Sequence, residues 1–509
     1  MNGDTTLPPV GTQEPPAPES ESYRALIARG IAWNTAFQFF GIALNFVVMI
    51  FTVRLISPAE FGKFATVSGI LAFVNVFNCE AFISHAVQLA EDQRPDWGTY
   101  WSLAARQQLI LCLLCNLVAA FLWLLPTYRQ VAPLLHLASL GLLWDSASRL
   151  RANMLRRELD FRRLRVLGAL CSLGSAAVTL ILAWAGYGAT ALVMGGYVVL
   201  SLPIVIEFFW IHRWKPLDGW LSSMRLDPLR SILFFGFHQT TVSALAMARG
   251  ALEAAVIPSL VGYTGFGLWN RAQVLFQTSS GRAVGIIAET AYPALPRSRE
   301  DKARYRRHAT MFAQTVVGIA IFGVFYIGSN GILLSRVLYG IRWADADQLI
   351  LPGTIFGFGS LLFIASGDVL LAANSLRKRF IAISLQALAG FFGIGVLIYH
   401  SQIASYAWAL AMLQLAAGFM SLLLAAEYFE ADWFRRVWLI PTIGALTGTA
   451  AVILSQRTLH LSIVAQLALN TIAYCLISAV VLRFCFPNFV RDSLRLLPKG
   501  ERIAGLLKL

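Results

Sequence analysis

The chain reads as an all-α integral membrane protein of about 14 transmembrane helices, built as two pseudo-symmetric six-helix lobes plus two C-terminal helices. Three observations predict this. Hydrophobic residues make up 57% and charged residues 13% of the 509 residues, too little polar surface to clothe soluble domains of that size. Apolar stretches recur from end to end. Arginine and lysine fall almost entirely in every second gap between those stretches.

The stretches run over 31–53, 64–90, 103–125, 132–150, 164–184 and 189–211, then 231–261, 262–292, 309–334, 349–373, 380–400 and 403–429, and finally 437–456 and 461–484. Most reach the ~20 residues a helix needs to cross hydrocarbon. The seventh and eighth are more polar and are separated only by Gly262 to Gly265. They read as two helices, because merging them would place the later arginine clusters on the wrong side of the membrane.

Alternate gaps carry Arg149 to Arg165, then Arg213 to Arg230, Arg297 to Arg307, Arg377 to Arg379, and Arg435 with Arg436. The gaps between them hold only Arg54, Lys63, Arg129, Arg336, Arg342 and Arg457. Short loops rich in Lys and Arg stay in the cytoplasm, so both termini are expected there and the sparse loops face out. The net charge of +14 is then topogenic. A nucleic-acid partner, which would need the basic groups on one soluble face, is not expected.

Residues 1–29 are rich in Pro, Glu and Thr, and their first 22 hold no basic residue. They read as a disordered cytoplasmic tail, not a signal peptide. The N-lobe is expected over 30–212 and a cytoplasmic linker over 213–230, whose Trp214 and Trp220 suit the headgroup layer. The C-lobe follows over 231–429, the last two helices over 430–486, and an interfacial amphipathic tail over 487–509. Cys112 and Cys115 form a C-x-x-C inside an apolar helix with no nearby His, so they read as packing residues and no disulfide is expected.

A faint repeat relates the lobes. Gly30, an apolar helix, then Pro58, Phe61 and Gly62 are echoed by Gly236, an apolar helix, then Pro258, Phe266 and Gly267. The offsets are 206 and 205 residues, and an even number of helices intervenes. That predicts a parallel repeat about an axis along the membrane normal.

Two helical lobes with short loops point to transport, since catalysis on the outer face would need an ordered external domain. Charges inside the apolar stretches are then the places to look, each costing roughly 2.5–3.5 kcal/mol on insertion scales. Asp145, Glu207 and Glu289 fall near cytoplasmic helix ends and read as structural. Arg249, Arg271 and Arg282 fall in the seventh and eighth stretches, with Arg282 about 16 Å beyond Arg271 toward the cytoplasm at 1.5 Å per residue. This cationic ladder suits a phosphate-bearing cargo, because a guanidinium donates paired hydrogen bonds and stays charged. Arg271 has no carboxylate at helical spacing. Arg249 stacks over Glu253 at i,i+4, which makes mutual neutralisation and a functional role equally open. Glu80 and Asp368 lack a basic residue one turn away and, with Glu253, are candidates for coupling to a proton or sodium gradient. No cofactor, metal or catalytic residue is expected.

The run Gly30-Ile31-Ala32-Trp33-Asn34 with Gln38, and the run from Arg54 through Pro58 to Gly62, resemble the start of bacterial polysaccharide transporters. Further matches are Leu159-Asp160-Phe161-Arg162, Ala185-Gly186-Tyr187-Gly188-Ala189, Phe235-Gly236-Phe237, Gly265 to Arg271, and Tyr292-Pro293-Ala294-Leu295. The chain thus resembles oligosaccharide flippases, in the superfamily that also holds multidrug extruders. The resemblance implies alternating-access transport of an undecaprenyl-pyrophosphate-linked repeat unit for polysaccharide export, not an enzyme. It implies the lipid-linked oligosaccharide, membrane lipids and polymerase or export machinery as partners, and the bacterial inner membrane as location. Relatives often carry an acidic pair with Asn in the seventh helix, where this chain has Gly250-Ala251-Leu252-Glu253-Ala254. A drug antiporter and a membrane glycan polymerase or ligase are the alternatives.

Overall fold

A computed structural model describes residues 37, 40–80, 83, 86, 95–158, 160–214, 226–292, 294–459, 461–487 and 489–491, apart from the side chains of 226–243, 245, 246, 289, 290 and 294. The expected N-terminal tail, the centre of the linker (215–225), most of the C-terminal segment (492–509) and the Glu289 side chain lie outside the described residues. Every regular element among the described residues is helical.

The N-terminal half contains α1 (Phe40–Leu55), α2 (Pro58–Val74), α3 (Trp97–Leu124), α4 (Ala132–Arg157), α5 (Phe161–Trp184) and α6 (Gly188–Ile211). The next helix, Leu226–Phe276, breaks once, at Gly262 with φ 74° and ψ 171°, a conformation open to glycine at little cost. The break divides it into α7 (226–261) and α8, which continues through a π-helical turn, Gln277–Gly281, to Ala291. The spacer foreseen at Gly262 to Gly265 is therefore a single residue. Then come α9 (Lys302–Leu338), α10 (Asp347–Ala372), α11 (Leu376–His400), α12 (Ile403–Leu424), α13 (Arg435–Thr458) and α14 (Ile463–Cys485).

Eleven helices among the described residues are long and apolar enough to cross a membrane, and the other three expected stretches are accounted for as follows. Helix α1 is described only from Phe40 as a continuous helix. Helix α4 carries Asp145, Arg149, Arg151, Arg156 and Arg157 and is too polar overall. Helices α7 and α8 run on as one stretch, Met247–Ala288.

Short loops are possible because the helices start on their own caps. Ser57 accepts from the Glu60 amide ahead of Pro58, Asp160 from the Arg163 amide at 3.0 Å, and Asp301 from the amides of Ala303 and Arg304. Each cap satisfies N–H groups that a helix start leaves open.

Helix α2 packs along α7 and α8 through small residues. A Cβ on Gly62 would overlap the Tyr263 carbonyl, and one on Gly267 would overlap the Pro58 carbonyl. Close backbone approach of this kind is how membrane helices associate where apolar burial gives little drive. Helices α13 and α14 dock on α9 through neutral hydrogen bonds. Asn470 donates to Asn330 at 2.7 Å, and Tyr474 donates to the Phe322 carbonyl at 2.8 Å.

The bundle has an arginine-poor end, marked by Arg54, Arg129 and Arg336, and an arginine-rich end, marked by Arg156, Arg297 and Arg379. Helix α8 runs from the first to the second.

Candidate functional site

A cavity of about 590 Å³ opens between α1, α8 and α10. Its walls are partly apolar, from Phe37, Ile42, Phe276, Ile286, Leu361 and Ile364, and partly polar, from Asn45, Gln277, Arg282 and Ser360. Arg282 is exposed and stands directly after the π-helical turn. Such a turn widens the helix and recurs at functional sites. Among the described residues the Arg282 guanidinium has no hydrogen bond or ion pair, and the cavity wall has no carboxylate. The arrangement offers a planar cationic donor set beside neutral hydrogen-bonding groups, which suits a phosphoryl group attached to something rich in hydroxyls.

The other two arginines of the expected ladder do not line this cavity. Arg249 donates to Glu253 Oε1, lies over the Phe356 ring at 4.7 Å, and runs its stem against Gly390 of α11. Tyr406 of α12 donates to the same Glu253 oxygen at 2.6 Å. Glu253 and Tyr406 are buried. The cluster is a clamp across α7, α10, α11 and α12 in which Glu253 is paired with a cation.

Arg271 donates to Oδ1 of its neighbour Asn270, at 2.8 Å from Nη2 and 3.3 Å from Nε. Its guanidinium lies over the Phe61 ring of α2 at 4.6 Å. No carboxylate meets it among the described residues. The three arginines of the expected ladder are thus in three settings: Arg282 on the cavity wall, Arg249 clamped by Glu253, and Arg271 covered by the Phe61 ring.

The carboxylates divide similarly. Glu80 has no basic residue one turn away, but partners from another helix reach it: it faces Arg149 at 3.3 Å and Arg156 at 3.2 Å, with Asn153 at 3.5 Å. Asp145 completes the group by accepting from Arg149 Nε at 2.6 Å. This pairing comes from the segment that follows α2 meeting α4 in space, which no helical spacing encodes. Asp368 lies one turn from the arginine-rich end of α10, not deep within it. It makes no ion pair among the described residues, and Arg379 is the cation whose charge reaches it. Glu207 accepts a two-pronged contact from Arg151 at 2.7 and 3.0 Å and a second cation from Arg163 at 2.6 Å, in the structural role expected. Outside the spans, the Lys378 ammonium 2.8 Å from Glu427 holds that carboxyl below its usual range, with a hydrogen bond from Tyr428 acting the same way.

Sequence reasoning missed Asn45, Gln277 and Ser360, because neutral polar residues carry no charge penalty to mark them. The run Gln277-Thr278-Ser279-Ser280-Gly281 inside an apolar helix was the available signal.

Among proteins of known sequence, the succinoglycan biosynthesis transport protein ExoT of Rhizobium meliloti (strain 1021) is 21% identical over 325 residues, covering 63% of this chain and 64% of that protein. An uncharacterized membrane protein in the cps region of Klebsiella pneumoniae is 20% identical over 319 residues, covering 61% and 64%. The chain therefore matches about 64% of the length of each relative. Among solved structures, the lipid II flippase MurJ in an inward closed conformation aligns with a TM-score of 0.69 at 13% identity, over 89% of this chain and 99% of that one. An inward-facing multidrug resistance MATE family transporter of the MOP superfamily aligns at 0.58 and 12% identity, over 76% and 94%. These likenesses establish a shared fold. The sequence profile of the polysaccharide biosynthesis protein family matches residues 51–348, more than half of the chain, and the protein belongs to that family.

Proposed function

We propose that the protein is a flippase that carries an undecaprenyl-pyrophosphate-linked oligosaccharide from the cytoplasmic to the outer leaflet of the bacterial inner membrane, by alternating access, for polysaccharide export. The observation that carries this reading is Arg282, an unpaired guanidinium on the wall of a cavity that also presents Asn45, Gln277 and Ser360. The pyrophosphate meets Arg282, the first sugars meet the neutral groups, and the lipid tail stays in the bilayer. By the positive-inside rule the arginine-rich end and both termini are cytoplasmic, so the cavity stands where a cytoplasmic lipid-linked precursor enters. Kinship with a succinoglycan transport protein and the MurJ-like fold support the same class of cargo. An antiporter of organic cations fits less well, because Arg282 repels a cation and no acid on the wall attracts one. The protein acts without chemistry of its own, driven by an ion gradient and alongside polymerase or export machinery.

Deleting the gene is expected to leave the lipid-linked repeat unit on the cytoplasmic face, read by its protection from a glycan-modifying enzyme added to spheroplasts. Normal exposure of the repeat unit at the outer face would overturn the reading.

A further inference from the structure

At the arginine-poor end, hydrogen bonds tie the N-terminal half of the chain to the C-terminal half, each running from a side chain to a backbone carbonyl. Arg54, in the last turn of α1, donates to the carbonyls of Val337 at 2.6 Å and Leu338 at 3.4 Å. Those carbonyls end α9 and have no helical partner, so a cation there gains from both the open acceptors and the helix dipole. Trp343 reaches back the other way, its indole Nε1 donating to the Val53 carbonyl at 2.9 Å. On another side of the same end, Tyr263 donates to the Thr127 carbonyl at 2.7 Å.

These contacts bracket Arg271. Trp343 meets the Phe61 ring edge-on at 5.4 Å between centroids, and Phe61 in turn covers the Arg271 guanidinium. Tyr339, packed beside Trp343, donates to the Arg271 carbonyl at 3.3 Å. Phe61 and Trp343 are buried, so the cover is firmly held. Beneath it sits a cation whose only hydrogen-bond acceptor among the described residues is the amide of Asn270. A guanidinium has five N–H donors, and a cation at membrane depth without a carboxylate is costly. Phe61 belongs to α2 and Arg271 to α8. Separation of those helices at this end therefore withdraws the ring and leaves the guanidinium bare.

Resting on the flippase reading above, we propose that Arg271 is a second anion-binding station for the phosphoryl head group that Arg282 meets first, uncovered only when the Arg54 and Trp343 bracket lets go. Arg282 lies eleven residues further along α8, about 16 Å toward the arginine-rich end. The head group would pass from Arg282, open in this conformation, to Arg271, open in the opposite one. An unpaired guanidinium at each level keeps the anion paired throughout its crossing.

The test is chemical modification of arginine by phenylglyoxal in the full-length protein in lipid nanodiscs, quantified site by site by peptide mass spectrometry, with inorganic pyrophosphate as the probe. In the wild type, Arg282 should react and be protected by pyrophosphate, while Arg271 reacts slowly. In Arg54→Gln and, separately, Trp343→Phe, Arg271 should react about fivefold faster, the population change expected from losing one hydrogen bond, and pyrophosphate should slow it again. The proposal is overturned if Arg271 already matches Arg282 in the wild type, if neither variant raises its reactivity, or if pyrophosphate leaves the uncovered Arg271 unprotected. Failure of pyrophosphate to protect Arg282 in the wild type would instead count against the flippase reading. A variant in which every arginine reacts faster has unfolded, and the other variant then decides.

Discussion

Gly62 and Gly267 stand 205 residues apart, and each lies against a backbone carbonyl of the other's helical region. Gly62 meets the carbonyl of Tyr263, and Gly267 meets that of Pro58. A shift of 205 residues turns one contact into the other, as two copies related by an axis along the bundle would produce. Enlarging either glycine is expected to force α2 and α8 apart. Gly62→Val and Gly267→Val should each destabilise the protein by about 1–3 kcal/mol through overpacking, and by similar amounts, as thermal unfolding in detergent would register. A large penalty at one site alone would argue against the paired contact.

The Arg249, Glu253 and Tyr406 cluster gives a second prediction. Glu253→Gln leaves the half-buried Arg249 guanidinium without its counter-charge, at a cost of about 1–3 kcal/mol. Replacing both members, Arg249→Met with Glu253→Gln, removes the stranded charge and should recover most of that loss. Transport by the double variant should approach the wild-type rate, because the pair acts as a clamp. A stable double variant that has lost its dependence on the ion gradient would show instead that Glu253 is a coupling group.

Glu80 offers a milder case. It is about a third exposed and shared between Arg149 and Arg156, so its removal leaves two partly solvated cations, of which Arg149 keeps Asp145 and Arg156 keeps Asn153. Glu80→Gln should cost no more than about 1 kcal/mol, as exposed ion pairs do. Its transport should keep the wild-type ion dependence in reconstituted vesicles.

The class of fold was legible because hydropathy and arginine placement are properties of single segments. The break at Gly262 was legible too, since a glycine between two apolar stretches is where a helix can reverse. The Arg249 and Glu253 contact could be read from an i,i+4 spacing. Other features depend on which helices become neighbours. Glu80 finds Arg149 and Arg156 only because the segment after α2 packs against α4, and Phe61 covers Arg271 only because α2 crosses α8. The cavity wall was harder still, since Asn45, Gln277 and Ser360 are uncharged and lie on three different helices. Arg282 stood out by its charge, but its difference from Arg249 and Arg271 lies in what surrounds each guanidinium.

The central claim is that Arg282 meets the anionic head group of the cargo. Its most direct test is the rate at which purified protein in vesicles translocates a fluorescent prenyl-pyrophosphate-linked oligosaccharide, comparing Arg282→Ala, Arg282→Lys and Arg457→Ala, an exposed control in the last turn of α13. Loss of a charge-assisted contact worth about 1.5–3 kcal/mol should slow Arg282→Ala roughly ten- to a hundredfold, with Arg282→Lys between it and the wild type and Arg457→Ala unchanged. An Arg282→Ala protein that flips the substrate as fast as the Arg457→Ala control would contradict the account.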